Sequence, residues 1–232
     1  MRSPDPDYKD KLEYINGIYR DARESNGSIA LLYQDETSYY RQPLAAQAWE
    51  KKGDRQQLAR RSTRSDTKTR LAGAMDAVDG RVIYSQGSMI TAQELVKFYI
   101  RIAEVYKDAE RIYIVQDNWP VHFHPTVLVA LEPQEFKWPL YLPRDWPDQP
   151  SKAAINKYGA LSLPIQLVTL PTYAPWTNPI EKLWRKLKQE LLRMHRFADR
   201  LDELREKVVA FLDSFINGSI ELLRYVGLLI PD

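Results

Sequence analysis

Cysteine is missing altogether from the 232 residues. That excludes a disulfide framework and any thiolate metal site. Histidine is scarce, at three residues, so no convincing imidazole cluster is available for a soft-metal centre. No apolar run is long enough to span a bilayer. The first eleven residues are charged from the start and lack the apolar stretch of a secretory leader, so the expected location is the cytoplasm, with no membrane partner. Internal repeats and low-complexity tracts are absent. A net charge of +2 is too small to name a partner.

What is present suits a folded globular chain, long enough for one substantial domain or two small ones. The charge is unevenly spread. Residues 51–70 (KKGDRQQLARRSTRSDTKTR) set eight Lys/Arg against Asp54 and Asp66, a local charge of +6. Such a patch fits a polyanion, or equally a solvated loop of long side chains.

Along the chain, residues 7–25 predict a helix with Leu12, Ile15, Tyr19 and Ala22 on one face, ended by Asn26-Gly27. Residues 29–34 (IALLYQ) read as a strand buried on both faces, delivering Asp35 and Glu36 at its end. Residues 37–53 look irregular. Two strands, 69–78 and 81–85, flank the hairpin signal Asp79-Gly80. A capping box at Thr91 and Glu94 opens a helix running to Lys107. Residues 111–116 (RIYIVQ) form another apolar strand, which delivers Asp117. Asn118 and a loop with His122 and His124 follow, then a helical turn at 126–131. Residues 132–164 show no period and look like an insertion before a last strand at 165–170 (IQLVTL). Asp199 is placed to cap a further helix, and Gly218 breaks it before a short apolar tail.

The most informative stretch is 171–190, PTYAPWTNPIEKLWRKLKQE. Asn178 is a good N-cap, Pro179 suits the first helical position, and Glu181 falls at the third. Ile180, Leu183, Trp184, Leu187 and Leu191 make one apolar stripe to about Phe197, with Lys182, Arg185, Lys186, Lys188 and Arg193 on the other faces. Glu181 either only caps this helix or belongs to a site.

The element order is that of an α/β fold around a mixed sheet of five strands. In open α/β sheets, sites gather at the carboxyl ends of strands. If the strands before Asp35 and Asp117 are adjacent and parallel, the two acids are neighbours, and the following helix can bring Glu181 to the same rim. Alternation along the strand turns Glu36 away from Asp35. Three carboxylates suit hard cations with oxygen ligands, Mg²⁺ above all. Two such ions about 3.5–4 Å apart can serve the attacking and leaving oxygens of a displacement at phosphorus.

Tyr33-Gln34-Asp35-Glu36-Thr37, Val115-Gln116-Asp117-Asn118 with His122, and the run from Leu170 to Glu181 together resemble the three acidic blocks of DDE transposases, in the bacterial insertion-sequence branch related to mariner elements. Trp49 and Gly53 match the segment after the first acid. The last block is the most specific, and the resemblance covers roughly residues 5–215. It implies an RNase H-like fold, with a linker helix at 1–28, the catalytic domain at 29–216 including the insertion, and a tail at 217–232. It implies divalent-metal-dependent cutting and joining of DNA at transposon ends. Asp35, Asp117 and Glu181 would be the catalytic metal ligands, holding two Mg²⁺ or Mn²⁺ ions. Asn118, His122 and Asn178 would support them. Lys51, Lys52, Arg55, Arg60, Arg61 and Arg64, with Lys182, Arg185 and Lys186, are the candidate DNA contacts. Trp119 and Trp176 flank the acids and are candidates for stacking on an unpaired base.

The 64 positions between Asp117 and Glu181 exceed what is usual in the group, which the insertion explains. Relatives usually begin with helix-turn-helix modules, so a separately encoded recognition half is expected. The partners implied are transposon-end and target DNA and a second copy of the chain, in a homodimer or larger assembly, on a bacterial nucleoid. Two other readings stay open: a repurposed DNA-binding remnant, and another RNase H-like nuclease.

Overall fold

The computed structural model describes residues 3–45 and 59–229. Five strands form one sheet in the order β3-β2-β1-β4-β5. They are β1 (Ile29–Tyr40), β2 (Lys68–Asp76), β3 (Val82–Gly87), β4 (Arg111–Gln116) and β5 (Ile165–Thr169). β1, β4 and β5 run parallel, while β2 and β3 are antiparallel additions on the β1 side. Among the described residues, seven α-helices cover it: α1 (Tyr8–Glu24), α2 (Ala92–Val105), α3 (Pro125–Leu128), α4 (Lys152–Tyr158), α5 (Ile180–Leu187), α6 (Leu201–Asp213) and α7 (Ile220–Val226).

Period-two alternation divides the apolar strand residues between two cores. Leu31 and Tyr33 of β1, with Val115 and Val168, pack against α1, α5, α6 and α7. Ala30 and Leu32, with Ile112, Ile114 and Leu167, pack against α2, α3 and α4. This burial on both faces is why β1, β4 and β5 read as continuous apolar runs. The mixed five-stranded sheet flanked by helices, with a long excursion before β5, is the expected architecture. That excursion starts and ends on itself: Leu131 bridges Leu163, and the Leu163 N–H donates to the Ala130 carbonyl. Among the described residues, no helix is long and apolar enough to cross a membrane.

Several local expectations change. β1 does not stop at Gln34 but continues to Tyr40, because Asp35 through Tyr40 keep an antiparallel ladder with β2 after the parallel pairing with β4 ends at Tyr33. Asp35 therefore lies in mid-strand, where β1 outruns β4. The helix of Glu181 does not run to Phe197. After Leu187 it widens into one π turn, Lys188–Leu192. The Leu192 carbonyl and the Met194 N–H then pair with Leu44, which ends the helical ladder. Asp199 does not cap α6, since its carboxylate meets Arg60 Nε at 3.0 Å. The apolar tail is a helix, α7, opened by the Ser219 hydroxyl and closed by Gly227 at φ 85°. Leu222 and Val226 of α7 and Ile15, Ile18 and Ala22 of α1 belong to one core. Trp49 and Gly53 lie outside the described residues.

Candidate active site

Asp35, Asp117 and Glu181 line one cavity of about 480 Å³. β1 and β4 are parallel neighbours with Tyr33 opposite Val115, so each strand carries its acid to the same edge two residues later. The chain then crosses from β5 through a 3-10 turn, Pro175–Thr177, and α5 returns Glu181 to that edge.

Asp35 is held by the indole of Trp184, whose Nε1 donates to Oδ2 at 2.9 Å. Trp184 is buried, and its ring can approach β2 closely because position 73, directly opposite Asp35, is glycine. A Cβ on Gly73 would sit 2.5 Å from Trp184 Cη2. Burial, and after it the negative charge of Glu181, Glu36 and Asp117, pushes the Asp35 carboxyl from its usual 3.8 up to about 8. Asp117 goes the other way. Burial raises it, but its bonds from the His122 ring and the Trp119 N–H and the charge of His122 outweigh that, leaving it below its ordinary value. The Trp119 N–H donates to Asp117 Oδ1 at 2.9 Å.

The supporting residues fall around the acids. His122 is fully buried, with Nε2 3.5 Å from Asp117 Oδ1 and 3.6 Å from Glu36 Oε2. Glu36 does point to the opposite face from Asp35, as alternation predicts. There it meets His122 and the Gln34 side-chain amide, which donates to Oε1 at 3.0 Å. Burial raises the Glu36 carboxyl. Its link to Asp117 through His122 could not be read from β1, because it depends on the loop after β4. Asn118 Nδ2 donates to the Leu170 carbonyl, tying the end of β4 to that of β5.

Asn178 lines the cavity but is not a side-chain cap. Its Nδ2 donates to the Gln34 carbonyl at 3.0 Å, while its own carbonyl accepts from the Glu181 N–H. The capping box is thus replaced by a clamp between α5 and β1. His124 caps α3 through Nδ1, and His195 is buried beside Phe197.

The basic candidates divide. Lys51, Lys52 and Arg55 lie outside the described residues. Arg60 pairs with Asp199, and neither it nor Arg61 nor Arg64 lines the cavity. Lys182 donates to the Val226 carbonyl at 2.8 Å while lining a groove beside the cavity, and Lys186 pairs with Glu190. Arg185 faces the same groove, about 490 Å³, which shares Pro175, Asn178 and Glu181 with the cavity. Lys188 and Arg193, delivered by the π turn, complete its basic wall with Trp176. Sequence periodicity put both on the polar faces of a regular helix and did not count them among the candidate DNA contacts.

Among the described residues, no group of three His, Asp or Glu side chains is arranged to hold a metal ion as it stands. The donor set nevertheless suits a hard cation: all carboxylate oxygens, with Asp35 buried first and crowded second, so that it holds a proton at neutral pH.

A family profile described as DDE superfamily endonuclease matches residues 30–205, well over half of the chain. The chain belongs to that family. Asp35, Asp117 and Glu181 all fall within the matched span. The insertion element IS630 uncharacterized 39 kDa protein of Shigella sonnei is 22% identical to this DDE chain over 214 residues, 92% of the chain and 52% of the relative. The chain therefore spans about half the length of that curated relative. Among solved structures, the Mos1 mariner paired end complex with Mn superposes with a TM-score of 0.57 at 16% identity, over 95% of this chain and 57% of that one. Mos1 transposase catalytic domain with raltegravir and Mg gives 0.50 at 16% identity, over 95% and 86%. At these identities the likeness shows the fold, which is the RNase H-like one expected from the acidic blocks.

Proposed function

We propose that this chain is the catalytic part of a transposase, which cuts DNA at the ends of a mobile element and joins the freed strand to a target. The observation that carries the reading is the meeting of Asp35, Asp117 and Glu181, from three separate elements, on one cavity beside a basic groove. The relatives point the same way, one being an insertion-element protein and the others Mos1 complexes containing Mn or Mg.

Asp35, Asp117 and Glu181 would hold Mg²⁺ or Mn²⁺, as two ions. When bound, the metal supplies Lewis-acid activation and neutralises charge at the reacting phosphate. The chain's own residues prepare the site. Trp184 fixes the rotamer of Asp35, His122 and the Trp119 N–H fix Asp117, and Asn178 sets the start of α5 against β1. Arg185, Lys188 and Arg193 offer positive charge to the strand leading into the cavity. In the first step water attacks the phosphodiester, the bond to the 3′ oxygen breaks, and a 3′ hydroxyl and a 5′ phosphate result. In the second, that 3′ hydroxyl attacks a target phosphodiester and displaces a new 3′ hydroxyl.

Catalysis is assigned to 29–216, with 132–164 as its insertion. The working assembly is a homodimer or larger, so that two DNA ends meet, and a helix-turn-helix half supplies end recognition. The reading places it in the bacterial cytoplasm, on the nucleoid when bound to DNA. Nicking of supercoiled plasmid in Mg²⁺ or Mn²⁺ tests it. Nicking should be metal-dependent and lost in Asp117→Asn and Glu181→Gln. Equal nicking by both variants sinks the site assignment. DNA binding with no nicking, even with the recognition half added, favours a repurposed remnant.

A further inference from the structure

The rim of the cavity contains a backbone outlier. Tyr173 sits at φ 53°, in the left-handed region that bulky side chains avoid. The residue is 79% exposed and lines the cavity, so little apolar burial compensates for the conformation. Strain of this kind persists only where the surroundings over-determine it, and it gathers at functional sites.

The surroundings that do so lie at the other end of the chain. Both backbone polar groups of the preceding residue, Thr172, are captured by the segment leading into α1. The Thr172 N–H donates to Asp5 Oδ2 at 2.7 Å, and the Ser3 hydroxyl donates to the Thr172 carbonyl at 2.7 Å. Asp5 is itself buried and anchored twice more, by Lys11 Nζ at 2.9 Å and by the Asp7 N–H at 2.9 Å. Lys11 is the surprise on α1, a lysine on its buried face, and this ion pair is what it is buried for. A second tie follows four residues on, where Trp176 Nε1 donates to the Tyr8 hydroxyl at 3.3 Å. Pro171 to Pro175, between these ties, all line the cavity.

We propose that Tyr173 contacts the DNA substrate through its ring at the mouth of the site, and that Asp5 is the positioning residue that holds it there. This rests on the reading that the substrate is DNA. A buried ion pair that served only to seat α1 would not need to receive the Thr172 amide. A tyrosine needed only for folding would not be left exposed in a costly conformation.

The test is fluorescence anisotropy with a labelled duplex carrying a frayed end, in EDTA, alongside thermal unfolding of the same variants. Tyr173→Gly, which is at ease with positive φ, should melt no lower than wild type yet bind at least about fivefold more weakly. Tyr173→Phe should bind within about twofold of wild type. Asp5→Ala/Lys11→Met removes both charges together, which spares the fold an unpaired buried ion. It should lose binding as Tyr173→Gly does, while Asp5→Asn/Lys11→Met, whose amide oxygen can still accept from Thr172, should restore it. If the alanine double variant does not fold, Ser3→Ala frees the Thr172 carbonyl and the Asp5 N–H but leaves the Asp5 carboxylate on the Thr172 amide, and should weaken binding in the same direction. Wild-type binding by Tyr173→Gly, or by the folded alanine double variant, overturns the proposal alone. A wild-type chain with no affinity for the duplex overturns the functional reading and this proposal with it.

Discussion

Asp35→Asn should make the metal-free protein more stable at neutral pH while abolishing its proposed chemistry. Folding lifts the Asp35 carboxyl from 3.8 to about 8, through burial first and then through Glu181, Glu36 and Asp117. The folded state therefore holds a proton that the unfolded chain releases. Stability is unaffected below pH 3.8, falls by about 1.4 kcal/mol per pH unit through the window, and levels off above about pH 8. At pH 7 the cost amounts to about 4 kcal/mol. Asparagine carries no charge to desolvate, and its carbonyl can still accept from Trp184 Nε1, so the variant escapes that cost. For a domain of this size the gain corresponds to a rise in Tm of about 8–16 °C. The assay is thermal unfolding followed by circular dichroism in EDTA, at pH 3.5 and pH 7.5. The two proteins should coincide at the lower pH and separate at the higher. Mn²⁺ should then stabilise wild type and not the variant, because binding to the native state alone raises stability. A variant no more stable at pH 7.5, or one equally favoured at pH 3.5, would refute the claim that burial and the neighbouring carboxylates burden Asp35.

Three further outcomes follow from particular contacts. Gly73→Ala forces the Trp184 ring off β2, since the new Cβ would meet it at 2.5 Å. Urea denaturation should show a loss of about 1–3 kcal/mol and nicking should slow, whereas a silent substitution would mean the indole has room to move. Asn178→Ala leaves the Gln34 carbonyl without its donor and should cost about 1–3 kcal/mol, a far larger effect than removal of an exposed cap. Arg185→Ala, Lys188→Ala and Arg193→Ala should each flatten the dependence of DNA affinity on log salt by about 0.9. Lys186→Ala should change that slope less, because its ammonium is already paired with the Glu190 carboxylate, and a reversed pattern would place the DNA elsewhere.

The sequence alone determined the order of the five strands and of the helices between them, apart from α4 and α7, together with the two-faced burial of the parallel strands and the positions of the three acids. These are written in short-range patterns. Residues 111–116 are β4 to the residue, and Thr91 caps α2 by accepting from the Glu94 N–H, because periodicity and capping act within a turn or a strand. The tertiary structure alone decided which partner each polar side chain took. Asn178 chose the Gln34 carbonyl over its own helix, Lys182 chose Val226, Glu36 found His122, and Asp5 found Thr172. Each of these choices satisfies a buried polar group whose best partner lies tens to hundreds of residues away. Local pattern carries no record of such partners; only the packing of sheet, helices and connecting loops brings them within reach.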